Sequence, residues 1–191
     1  IVDGFESGGR YTHWNQGLVN GKYCYNKYTP EHAVCGCVAT AGSAILQFFN
    51  CTNDVGVVNG EPTYNGKPAP AQYCRTKPGA LDWSILPKSY GGSKEGSDTL
   101  DDAGIDLLGR VAFNMGVLVD MAWSDVESGA TLYGLINAFK AYGFKAARYV
   151  TFNLAKDADN ENQFTKTVYA QNWCGAPVVL GIQGSSGGHA V

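Results

Sequence analysis

Two residues have the type and the position that nucleophilic catalysis needs. Cys37 stands at the predicted start of a helix, where unpaired amide N–H groups and the positive end of the helix dipole stabilise a thiolate. Such a nucleophile benefits from a base that takes the thiol proton and later delivers it to a leaving amine. His189 is the one histidine that follows glycines at the start of a predicted strand segment, and its small neighbours leave room for a substrate. The pair therefore predicts acyl-transfer chemistry.

The element that must position Cys37 is a helix over Cys37–Asn50. Its apolar residues recur at helical spacing and predict one buried face; they are Val38, Ala41, Ile45 and Phe48. Ahead of His189, the nearly continuous apolar run Pro177–Gln183 predicts a strand. A helix must therefore meet a strand segment if the two residues are to act together.

The other predicted elements are helices in the middle of the chain and short strands after them. We expect a helix from a cap at Asp98 or Thr99 to about Met115, a strand over Val117–Met121, a helix over Thr131–Tyr142 that Gly143 ends, and a strand over Ala146–Phe152. Residues 1–36, 51–97 and 157–161 are expected to be mostly loops. Helices early and strands late predict an α+β fold, with a cleft between a helical lobe and a sheet lobe.

Length and charge exclude several classes of protein. At 191 residues the chain has room for one domain with a sizeable core, so we expect residues 1–191 to form a single domain. The net charge is −3 and no basic run occurs, which argues against a nucleic-acid partner. No apolar stretch approaches the roughly 20 residues that span a bilayer, so no membrane partner is expected.

Composition also favours an extracellular protein. The chain has 14 Lys and Arg residues against 25 Gly, 11 Tyr and six Cys, a balance more typical of an oxidising compartment than of the cytosol. Its first residues, Ile1–Gly4, do not form a signal peptide. We therefore expect a mature, processed form of a secreted protein.

Five short motifs occur in a fixed order along the chain; they are Trp14-Asn15-Gln16, Gly36-Cys37-Val38-Ala39-Thr40, Leu81-Asp82-Trp83-Ser84-Ile85-Leu86-Pro87, Val119-Asp120-Met121 and Gly187-Gly188-His189-Ala190. In this order they resemble the streptopain family, which are bacterial secreted, papain-like cysteine peptidases. The resemblance covers roughly residue 11 to the end. Its most specific parts are the runs around Cys37 and His189.

The resemblance implies a papain-like two-lobe fold and a role for each site residue. Cys37 would be the nucleophile, and His189 the general base and acid. Gln16 would donate its side-chain amide to the oxyanion together with the backbone N–H of Cys37, because the tetrahedral oxygen needs donors already in place. Gly188 would leave the substrate backbone room in the cleft. Protein or peptide substrates, a propeptide before maturation and no cofactor are also implied.

The sequence departs from this family after His189. Streptopain-like enzymes continue into a segment rich in Trp and Gly that orients the histidine, whereas the present sequence reaches only Val191. We therefore expect the sheet lobe to be completed by a following segment or by a second chain.

The second departure is the number of cysteines. In a secreted chain the five besides Cys37 are expected to form two disulfides and leave one thiol over. Cys35 and Cys51 flank the predicted helix, which would place their Cα atoms on the order of 20 Å apart, too far for a disulfide. Twelve arrangements stay open. Pairing of Cys35 with Cys74 is favoured only by analogy with papain-like enzymes, in which the residue before the catalytic helix is often anchored in this way.

The main alternative is a non-catalytic module. Four potential ligands lie close in sequence and could bind zinc or staple a binding domain through disulfides; they are Cys24, His32, Cys35 and Cys37. Their spacing matches no common zinc ribbon or finger, and zinc binding by Cys37 would leave His189 without a role. We therefore expect no metal site.

Overall fold

The computed structural model describes residues 5–7, 10–12, 14–19, 21–87, 89–90, 100–152, 158–185 and 187–191. Within these ranges it contains short strands and four α-helices. In chain order they are β1 (Phe5–Ser7), β2 (Arg10–Thr12), β3 (Leu18–Val19), β4 (Lys22–Tyr23), α1 (Cys37–Phe48), β5 (Thr63–Tyr64), β6 (Lys67–Pro68), β7 (Ser89–Tyr90), α2 (Asp102–Leu118), β8 (Ala122–Trp123), α3 (Gly134–Ala141), α4 (Ala158–Trp173), β9 (Gly181–Gly184) and β10 (Gly187–Ala190).

The described strands form four small sheets. Strand β2 pairs antiparallel with β1 and parallel with β7, while β5 pairs antiparallel with β6 and parallel with β8. The hairpins β3–β4 and β9–β10 are antiparallel. In the second hairpin His189 lies opposite Ile182, and mutual backbone hydrogen bonds between Leu180 and Val191 extend the pairing. The predicted strand over 177–183 is thus assigned only from Gly181, one residue after the Leu180–Val191 pair.

Helix α1 is the centre of the core. Nine of its 12 residues are buried, and α2, α3 and β10 all pack against it. Small side chains allow this close approach: at Gly42 a Cβ atom would lie 2.7 Å from Leu135 Cδ2 and 2.9 Å from Met115 Sδ. The predicted helix over 37–50 is confirmed to within two residues. No helix in the described part of the chain is both long and apolar enough to cross a lipid bilayer.

Each described helix ends in the same hydrogen-bonded motif. The residue after the C-cap has a positive φ, its N–H bonds the carbonyl three residues earlier, and the next N–H bonds the carbonyl five residues earlier, which is the Schellman pattern. The residues with positive φ are Asn50, Asp120, Gly143 and Gly175. The prediction that Gly143 ends the third helix is therefore confirmed.

Helix α2 begins and ends later than the sequence predicts. Its N-cap is Asp101, whose carboxylate accepts a hydrogen bond from the amide of Gly104 at 2.7 Å. The expected caps, Asp98 and Thr99, lie outside the described residues. The strand predicted over 117–121 is wrong, because Val117 is fully buried in the last turn of α2 and extended backbone begins only at β8.

Two predictions in the C-terminal third are also wrong. Residues 146–152 form no strand and are mostly exposed. Residues 158–161 belong to helix α4 rather than to a loop; residue 157 lies outside the described part. Helix α4 is largely polar, and among its described side chains only Phe164 and Val168 are half-buried.

The packing of α2 yields a test of the fold. At Gly109 a Cβ atom would lie 2.5 Å from the carbonyl oxygen of Cys24 and 2.9 Å from Lys27 Cβ. Alanine normally stabilises a helix interior by about 1 kcal/mol relative to glycine. In Gly109→Ala we expect the overlap with backbone to outweigh this gain and lower the free energy of unfolding by roughly 1–3 kcal/mol.

Urea denaturation measures this change. Gly129→Ala is the control, because no atom lies within 4 Å of the added Cβ there, and its effect should stay within about 0.5 kcal/mol. If Gly109→Ala is as stable as the parent protein, α2 does not pack against the Cys24 loop as described.

Candidate active site

Cys37 is the first residue of α1 and is half-buried. The residue before it, Gly36, has φ +94°, and a Cβ there would come within 2.6 Å of Met121 Sδ and 3.1 Å of the carbonyl oxygen of Ser128. Only glycine meets both the conformational and the steric demand. No side chain caps this end of α1 and its first turn contains no carboxylate, so the positive end of the helix dipole faces Cys37 without a neutralising charge.

Strand β10 contacts Cys37 directly. The backbone N–H of Ala190 donates to Cys37 Sγ at 3.4 Å, and Ala190 is buried. His189, the residue before it, is exposed on the same strand. The structure thus places the backbone of the histidine segment at the sulfur atom of Cys37.

Gln16 lies beside the residues that lead into α1. Its backbone carbonyl oxygen accepts a hydrogen bond from the backbone N–H of Cys35 at 3.0 Å. Its backbone N–H donates to Asn15 Oδ1 at 2.6 Å. The residue is half-buried. Gln16 is therefore held next to the N-terminal end of the helix that begins at Cys37.

Gly188 is exposed and lies opposite Gln183 in the β9–β10 hairpin. A Cβ at this position would meet Gln183 Oε1 at 2.9 Å. That oxygen is the end of a flexible, exposed side chain, so the structure itself does not require glycine here. The other three predicted residues, Gln16, Cys37 and His189, lie on segments that meet at the start of α1.

The four residues of the zinc alternative do not converge. Cys35 Sγ lies 3.3 Å from Thr40 Oγ1, whereas the His32 ring stacks on Tyr23 with centroids 3.8 Å apart and its Nδ1 lies 3.1 Å from the carbonyl oxygen of Asn26. Over the described ranges, no three His, Cys, Asp or Glu side chains are grouped to hold a metal ion. The structure thus gives the zinc module no support.

All six cysteines are free thiols in the structure, so the two expected disulfides are not formed. Burial raises the pKa of Cys24 to about 12, and the nearby Cys35 adds to the shift. Burial likewise raises the pKa of Cys35 to about 12, against the hydrogen bond with Thr40. Cys51 is also buried, and this raises its pKa. Cys174 is exposed.

Sequence reasoning missed two contacts at the site. The N–H of Ala190 is a backbone donor and has no signature in the sequence. The indole N–H of Trp14 donates to Gln47 Oε1 at 2.9 Å in the core. No signal in the sequence marks this second contact, because Gln47 is one of three polar residues on the helix, with Thr40 and Ser43.

The chain matches known proteins in family and in fold. The model of the Peptidase C10 family matches residues 19–191, a range that includes Cys37 and His189 but begins after Gln16. A fragment of prointerpain A from Prevotella intermedia is 22% identical with a TM-score of 0.70, over 94% of this chain and 54% of that one. Active wild-type interpain A cysteine protease from the same organism is 23% identical with a TM-score of 0.71, over 93% of this chain and 71% of that one.

These similarities confirm the predicted papain-like α+β fold. The chain spans about half of the prointerpain A fragment that it matches. None of the curated proteins compared with it gives a significant match.

Burial and pKa predict which thiols react in the folded protein. With iodoacetamide at pH 8 we expect Cys174 to be modified fast and Cys24 and Cys35 to be at least a hundredfold slower, because alkylation needs an accessible thiolate. Peptide mapping by mass spectrometry after timed labelling measures the three rates.

A denatured, unreduced sample is the control. There all six thiols should be modified, since all are free. A cysteine that becomes reactive only after reduction would contradict the free thiols, and fast native labelling of Cys24 or Cys35 would contradict their burial.

Proposed function

Because the chain belongs to the Peptidase C10 family, we propose that it carries the catalytic site of a cysteine endopeptidase, with Cys37 as nucleophile and His189 as general base and acid. The observation that carries this assignment is the contact of the Ala190 N–H with Cys37 Sγ. It brings the strand of His189 to the uncapped N-terminal end of the helix that begins at Cys37. The substrate class is the peptide bond of protein substrates.

In the proposed reaction the Cys37 thiolate attacks the carbonyl carbon of the scissile bond. The carbonyl oxygen becomes an oxyanion, which the side-chain amide of Gln16 and the backbone N–H of Cys37 stabilise. The His189 imidazolium then protonates the leaving amine as the C–N bond breaks, which leaves a thioester on Cys37. His189 next takes a proton from water, the hydroxide formed attacks the thioester, and the acid product and the Cys37 thiolate are released.

Two features support Cys37 as the nucleophile. The positive end of the α1 dipole has no carboxylate or side-chain cap beside it, and the Ala190 N–H is directed at the sulfur. Both place partial positive charge beside the sulfur atom that would attack the carbonyl carbon. The Ala190 donor comes from the segment that carries His189, so the same backbone would orient the imidazole and stabilise its partner.

The proposal also covers the space for the substrate and the form in which the enzyme is produced. Exposed glycines in β10, including Gly188, leave space for an extended substrate beside His189. Production as a secreted zymogen with a propeptide is proposed by analogy with a structural neighbour that is itself named as a proenzyme, prointerpain A.

The first test replaces the nucleophile. In Cys37→Ala we expect cleavage of a denatured protein substrate to fall by at least about a thousandfold, because no other group can form the thioester. Cys174→Ala, an exposed thiol, is the matched control and should retain the parent rate. Cleavage by a folded Cys37→Ala protein at the parent rate would rule out the assignment.

The second test removes the proposed oxyanion donor. In Gln16→Ala we expect kcat to fall by about 10²–10³ with little change in KM, since the lost hydrogen bond forms only as the oxyanion develops. Gln163→Ala, on the exposed face of α4, is the control. An unchanged kcat in Gln16→Ala would show that Gln16 does not act on the oxyanion.

A further inference from the structure

A buried hydrogen bond joins the segment of Gln16 to the helix of Cys37. The indole N–H of Trp14 donates to the side-chain carbonyl of Gln47 at 2.9 Å, across 33 positions of sequence. Trp14 is 6% exposed and Gln47 is 3% exposed. Gln47 lies in the last turn of α1, the helix that begins at Cys37.

This bond is unusual for the place where it lies. An unpaired polar group in the core costs about 1–3 kcal/mol, whereas replacing both partners by apolar groups of the same shape can be nearly neutral. Packing of the Trp14 ring alone therefore does not require this hydrogen bond. What the pair adds is direction, because a hydrogen bond fixes the indole relative to the axis of α1 as an apolar contact would not.

Aromatic rings fix the indole further. The Trp14 ring lies 5.3 Å from the ring of Tyr25 and meets the ring of Trp83 edge-on at 6.5 Å. The Trp83 indole in turn donates to the carbonyl oxygen of Cys51 at 2.8 Å, just past the end of α1. Trp14 is thus attached to the C-terminal end of α1 by both a hydrogen bond and a ring.

The other end of the segment is attached at the start of the same helix. Gln16 lies two residues after Trp14, and its carbonyl accepts from the amide of Cys35 at 3.0 Å. An extended segment of this length spans only about 7 Å. With both ends bound to α1 and its lead-in, the segment cannot shift along the helix unless one of these bonds breaks.

We propose that Trp14 and Gln47 are positioning residues that set where the Gln16 amide lies relative to Cys37. The inference rests on the proposed function, in which that amide stabilises the oxyanion. A donor misplaced by a fraction of an ångström loses much of its effect on the transition state. The pair therefore acts on kcat through Gln16, without touching the substrate.

The test uses Trp14→Phe, which keeps an aromatic ring but removes the donor, and Gln47→Met, which keeps the length of the side chain but removes the acceptor. We expect each to lower kcat about tenfold and to change KM less than twofold. Each single variant should also be less stable than the parent, because it breaks a buried hydrogen bond. Thermal unfolding and single-turnover acylation measure the two effects separately.

The double variant Trp14→Phe/Gln47→Met separates positioning from mere stability. Because both partners of this hydrogen bond are absent, the double variant should be at least as stable as the less stable single variant, while kcat stays about tenfold low. If kcat recovers together with stability, the pair is only structural and the inference is wrong. Should either single variant fail to fold, the double variant gives the same readout.

A second cycle shows whether the effect passes through Gln16. Adding Trp14→Phe to Gln16→Ala should cause no further loss of kcat. Independent, multiplicative losses would overturn the inference and leave the proposed function intact. If Gln16→Ala alone has no effect, the proposed oxyanion role and the inference fail together, while the test at Cys37 still decides the nucleophile.

Discussion

The burial of α1 on nearly every side is the constraint on which the rest of the structure depends. A helix so enclosed can expose chemistry only at its ends, and its first residue is Cys37. Small side chains let α2, α3 and β10 approach it closely. At Gly42 any added Cβ would force Leu135 or Met115 to move, and at Gly36 the φ of +94° itself calls for glycine. The same packing that buries the helix therefore also leaves its uncapped N-terminus free to contribute to the site.

Each segment was predictable to the extent that it buries apolar side chains in a regular pattern. Helix α1 was predictable because its apolar residues repeat at the helical period, and the end of α3 because Gly143 marks it. Helix α4 could not be predicted, since Phe164 and Val168 are too few to form an apolar stripe. The strand expected at Val117 was wrong because burial outweighed β propensity. Val117 is β-branched, but it lies in the last turn of α2, where the core buries it.

The site shows a similar division. Cys37 and His189 could be selected because their neighbours in sequence, a helix start and a pair of glycines, have chemical meaning. The Ala190 donor could not, because every residue except proline has the same N–H group. Gln47 could not either, because a glutamine in a helix usually faces solvent and only the fold shows that it lies in the core beside Trp14. Reactive side chains can thus be identified from sequence more readily than the backbone and buried contacts that position them.

The burial of Cys35 determines how Cys37 would respond to oxidants. The two cysteines are separated only by Gly36 and could be mistaken for a redox pair. Burial raises the pKa of the Cys35 thiol to about 12, so the thiol stays protonated at neutral pH, and no part of it is exposed. If Cys37 were oxidised to a sulfenic acid, Cys35 could not resolve it as a disulfide, because resolution needs an accessible thiolate. Recovery would depend on a small thiol from solution, so the reducing power of the surroundings would control how long such an enzyme stays active.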